Sequence, residues 1–97
     1  MKYLIIIVSF FVLLGNASAA DINAGKAKAV SCVGCHGSNG ISTNPEWPNL
    51  AGQQEKYLSK QLKAFRDGQR NDSLMSPMAA ALSDDDIANI SAYYSNL

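Results

Sequence analysis

Cys32-Val33-Gly34-Cys35-His36 puts two thiols three residues apart and an imidazole directly after the second. On one turn of helix, thiols at that spacing can each add to one of the two vinyl groups of a single haem, and the residue that follows then brings a nitrogen ligand beneath the iron. Tethering of this kind removes much of the entropy cost of holding a large cofactor in a small domain. Three other chemistries use the same residue types. A structural disulfide between Cys32 and Cys35 would leave the histidine unexplained, and two cysteines make a poor scaffold. A thioredoxin-like redox pair calls for a strand before the motif and a βαβ pattern around it, and neither is present. A structural zinc site needs four ligands, and two Cys with one His could reach four only with a carboxylate.

His36 is the sole histidine in the chain. A second axial ligand drawn from the protein would therefore be a methionine or something rarer. Beyond the N-terminal leader described below, the chain offers Met75 and Met78. A thioether opposite an imidazole stabilises ferrous iron and raises the potential, which suits an electron carrier. In isolation either methionine is more often filler in a core than a ligand, but a haem motif with a single histidine shifts the balance towards ligation.

Three helical segments must position these groups. The first is expected from about Asn23, as its cap, to Val33, delivering the cysteines where helix runs into loop. Residues 37–52 hold three Gly and two Pro among many turn formers and are expected as a long ordered loop. The second helix is expected from Gln53 to about Asp67, with Tyr57, Leu58, Gln61, Leu62 and Phe65 in one stripe and Gly68 closing its C-terminus. Its solvated face carries Lys56, Lys60, Lys63 and Arg66. Residues 69–82, which contain Met75, Pro77 and Met78, are expected as a loop. Ser83 caps the last helix, and Asp84, Asp85 and Asp86 sit where the positive end of its dipole favours negative charge, so they are read as capping groups rather than metal ligands. Ile87, Ile90, Tyr94 and Leu97 give that helix a buried face.

The chain has 97 residues, which is one domain. Met1-Lys2, an apolar run from Tyr3 to Leu14 and the small residues 15–20 follow the order of a secretory signal peptide, with cleavage before Ala20 or Asp21. The apolar run is about a dozen residues, short of the roughly 20 that a spanning helix needs, so no stable membrane insertion is expected after cleavage. The remaining domain, 21–97, carries seven basic and eight acidic side chains. That balance argues against nucleic-acid binding. A domain this small usually needs a staple or cofactor to complete its core.

Taken with Trp47-Pro48-Asn49-Leu50-Ala51-Gly52-Gln53, Tyr57-Leu58, Gln61-Leu62, Gly68-Gln69-Arg70-Asn71-Asp72 and Leu82-Ser83-Asp84-Asp85-Asp86-Ile87 through Ala92-Tyr93-Tyr94, the haem motif makes the sequence resemble a class I c-type cytochrome. The likeness is to small bacterial periplasmic mono-haem forms and to each half of their dihaem relatives. The resemblance implies an all-α fold, with three main helices and loops wrapped around one covalent haem c held by Cys32 and Cys35. It implies His36 as proximal ligand and Met75 as distal ligand, with Met78 the alternative. Pro48 would offer its carbonyl to His36, and Arg70 would pair with a haem propionate. Gly25 and Tyr93 or Tyr94 would mark the crossing of the terminal helices. The implied function is a monomeric periplasmic electron carrier, not an enzyme. It would exchange single electrons with a quinol–cytochrome c reductase, a terminal oxidase or periplasmic oxidoreductases. If no methionine bound the iron, the open position would suit peroxidase or gas-binding chemistry. A third role is as the haem subunit of a larger redox complex.

Overall fold

The computed structural model describes residues 2–9 and 19–97. Half of the leader read over residues 1–20, positions 1 and 10–18, lies outside the described residues. Among the described residues, every regular element is helical and no helix is long and apolar enough to cross a membrane.

Helix α1 spans Ile22–Lys28 and tightens into a 3₁₀ turn over Ala29–Ser31. Its cap is Asp21, whose carboxylate accepts from the Ala24 N–H at 3.1 Å, rather than the expected Asn23. The Asp21 N–H donates to Asn89 Oδ1 at 2.8 Å and ties the start of the domain to its last helix. The single helix expected over 23–33 is therefore broken. The Cys32 N–H bonds to the Ala29 carbonyl at 2.8 Å, a three-residue step that tightens the turn. Helix α2, Val33–His36, then carries the end of the motif.

Helix α3 covers Glu55–Asp67, and Gly68 closes it in the left-handed conformation (φ 88°) that a Cβ would disfavour. Leu58 and Phe65 of its expected stripe are buried, whereas Tyr57 is 47% exposed. Helix α4, Met75–Ala79, lies where a loop was expected. The Asp72 carboxylate accepts from the Leu74 and Met75 N–H groups at 2.9 and 2.8 Å. Pro77 is harmless in that first turn because its missing N–H would have had no partner inside the helix.

Helix α5, Asp84–Ser95, starts with a reciprocal cap. Ser83 Oγ accepts from the Asp86 N–H, and Asp86 accepts from the Ser83 N–H, both at 3.0 Å. Ile87, Ile90 and Tyr94 are buried as the spacing predicts, but Leu97 is 48% exposed, since the helix stops before reaching it.

The frame is α1 crossing α5, with α3 packed on α5 and α4 on α3. At Gly25 a methyl group would overlap the Asn89 carbonyl and meet Tyr93 Cβ at 3.0 Å, so the two backbones touch there. The residues expected at this crossing, Gly25 and Tyr93, do meet, and Tyr94 turns inward instead. Its ring packs with Ala29, Leu58 and Ile90, and Cys32 and Leu50 border that cluster.

Candidate haem site

The cysteines come off the 3₁₀ turn and α2, which α1 and α5 hold from behind. Cys32 and Cys35 are half-buried free thiols. Burial pushes the Cys32 thiol above the usual range, which keeps it neutral and slow to oxidise.

His36 ends α2 and is 6% exposed. Its Nδ1 lies 2.7 Å from the Pro48 carbonyl oxygen. A carbonyl can only accept, so Nδ1 carries the proton and donates, which leaves Nε2 with a free lone pair. A buried imidazole with one nitrogen tied and the other free is the form a metal ligand takes.

Pro48 is held in place by the loop 37–52. Gly37 leaves α2 with φ 88° and its Cα faces the Ile41 carbonyl with no room for a side chain. The Gly40 carbonyl accepts from both Leu50 and Ala51 N–H groups, at 2.8 and 3.0 Å. Asn49 Oδ1 takes the Ser42 N–H at 2.7 Å, and the Gly52 N–H donates to the Tyr94 carbonyl at 2.9 Å. Pro48 is thus pinned on either side and anchored to α5. The density of turn formers signalled an ordered loop, but Gly40, Asn49 and Gly52 carried no separate sign of these roles.

Met75 opens α4 and is half-buried, whereas Met78 is 46% exposed. Asp72 fixes the Met75 backbone, and those same N–H groups hold its carboxyl below the usual carboxylate range. Sequence reasoning passed over Asp72, although an aspartate three residues before Met75 and a proline two after it are a helix-start signal. Arg70 is exposed. Its Nη1 donates to Gln61 Oε1 at 2.7 Å and its guanidinium sits 4.5 Å from the centre of the Phe65 ring.

The donor set suits a haem. Two free thiols and one buried imidazole with an available nitrogen are what covalent attachment and axial ligation require. The hydroxyls of Ser91 and Tyr94 are buried without a hydrogen-bond partner, each at a cost of about 1–3 kcal/mol unless some further group satisfies it. Among the described residues the buried hydrophobic side chains are few, and three of them are alanines (Ala29, Ala79, Ala92), so a large rigid apolar group would complete the core.

A family model described as Cytochrome c matches residues 22–97. The chain is 53% identical over 81 residues to cytochrome c-554(548) of Halomonas halodenitrificans, covering 80% of this chain and 98% of that protein. It is 44% identical over 96 residues to cytochrome c4 of Pseudomonas aeruginosa, covering 98% of this chain and 48% of that one. The chain therefore spans nearly all of the first relative and about half of the second. Among solved structures, Acidithiobacillus ferrooxidans cytochrome c4, described in terms of complex-induced tuning of electron transfer, superposes with a TM-score of 0.76 at 32% identity over 86% of this chain and 53% of that chain.

Proposed function

Because the chain belongs to the cytochrome c family, we propose that it is an exported single-haem carrier, cut from its leader before Ala20 or Asp21, that passes one electron at a time between larger redox proteins. The single observation that carries this reading is the 2.7 Å contact between His36 Nδ1 and the Pro48 carbonyl in a buried setting. The haem c, when bound, supplies the one-electron couple. Cys32 and Cys35 would hold it by thioether bonds. Pro48 sets the tautomer of His36 and leaves Nε2 free, so that His36 would bind the iron through it. Met75, steadied by Asp72, would offer its thioether to the iron, with Met78 the alternative. Arg70 gives one N–H to Gln61 and keeps others for a propionate.

This arrangement performs no bond-making chemistry, so the chain acts as a carrier and not as an enzyme. Partners in a periplasm would be a quinol–cytochrome c reductase, a terminal oxidase or another oxidoreductase, met through small, short-lived interfaces.

The test is the intact mass of the exported protein together with its ferric absorption spectrum. One covalent haem, and the long-wavelength band that marks thioether ligation, are expected. Met75→Ala should remove that band while Met78→Ala keeps it. A mass with no haem overturns the carrier reading. A band lost in Met78→Ala but kept in Met75→Ala overturns the ligand assignment. Absence of the band from the wild type points to an open iron position and peroxide or gas chemistry.

A further inference from the structure

Tyr94 is 1% exposed and is held from several sides. Its ring packs with Ala29, Leu58 and Ile90. A methyl group placed on Gly40 would meet its Cδ1 at 3.1 Å, and its carbonyl takes the Gly52 N–H. The side chain therefore has little freedom to turn its hydroxyl elsewhere. That hydroxyl has no hydrogen-bond partner, although the Cys32 side chain borders the same cluster. The two groups influence one another: burial, and then the neighbouring Cys32, push the Tyr94 hydroxyl above the ordinary phenol range.

We propose that the Tyr94 hydroxyl donates a hydrogen bond to the Cys32 sulfur once that sulfur is a thioether, and thereby tunes the reduction potential. The inference rests on the haem reading above. As a thiol, Cys32 can either donate or accept, and nothing directs the pair. As a thioether it has lost its proton and can only accept, so the phenol becomes the donor and its buried polar atom is satisfied. A hydrogen bond to a sulfur attached to the macrocycle withdraws electron density from it and favours the reduced state. Tyr94 is thus a positioning and tuning residue. It neither ligates the iron nor carries the electron.

Tyr94→Phe keeps the ring and deletes the hydroxyl. The reduction equilibrium constant is expected to fall about threefold, which is roughly 30 mV at 59 mV per tenfold for one electron. Tyr93→Phe, which deletes a phenol on the half-buried neighbour, is the control and should leave the constant as it was. In resonance Raman spectra, the thioether C–S stretch of the wild type should shift in deuterated water, and Tyr94→Phe should lose that shift. This measurement on the wild type decides the matter even if the variant does not fold. An unchanged potential in Tyr94→Phe, an equal fall in Tyr93→Phe, or a C–S band indifferent to deuterium each overturns the proposal. A wild-type mass lacking haem would instead overturn the carrier reading on which it stands, so the two failures are distinguishable.

Discussion

Gly25→Ala separates local helix preference from tertiary packing, because the two predict opposite signs. Inside a helix, replacing glycine by alanine gains about 1 kcal/mol of intrinsic propensity. In α1 the new methyl group would overlap the Asn89 carbonyl and press on Tyr93 Cβ. The carbonyl is backbone and cannot turn aside as a side-chain tip could, so α1 and α5 must separate along the contact that holds the cysteine turn. Overpacking costs about 1–3 kcal/mol, occasionally more. A carbonyl collision belongs at the upper end, near 3 kcal/mol, and subtracting the propensity gain leaves a net loss of about 2 kcal/mol. At about 4–8 °C per kcal/mol for a domain of this size, Tm should fall by about 8–16 °C. The assay is reversible thermal unfolding of the haem-loaded protein followed by far-ultraviolet circular dichroism. An unchanged or raised Tm for Gly25→Ala would refute the close crossing.

Ser83→Ala removes one half of the reciprocal cap of α5 and should cost about 1 kcal/mol, seen as a lower denaturant midpoint at unchanged slope, with Ser83→Asn restoring most of it. Acid sensitivity follows from Asp72 and Asp86, whose carboxyls are both held low, chiefly by backbone N–H groups. A depressed folded pKa gives stability that is complete above the unfolded value of about 3.9 and is lost as pH falls through the folded one. Denaturation titrations at stepped pH should therefore show stability declining below about pH 4, and Asp86→Asn should flatten that decline. An identical slope in wild type and Asp86→Asn would count against the linkage.

Much of the site was legible in the residues themselves. Covalent attachment needs two thiols and an imidazole at a fixed local spacing, and Cys32-Val33-Gly34-Cys35-His36 states that spacing outright. Gly68 and Ser83 were equally plain, because a left-handed cap and a capping serine are local chemistry. Local chemistry also misled where two neighbours competed: Asn23 and Asp21 can both cap α1, and Asp21 prevails because its N–H also reaches Asn89, 68 residues away. Helix α4 escaped notice because Pro77 reads as a helix breaker until Asp72 is seen to start the helix, three residues before its first regular residue, Met75.

The attachment motif, the all-helical plan and the uniqueness of His36 can be read from the residues, since each depends on residue type and near spacing. Tertiary structure alone decided which carbonyl holds the His36 ring, that Gly25 is where α1 and α5 touch, and that Tyr94 faces Cys32 while Tyr93 faces α1. Those are contacts between residues a dozen to more than sixty positions apart, and a short-range pattern carries no term for them. They follow only when the chain closes on itself and backbone groups far apart in sequence compete for the same space.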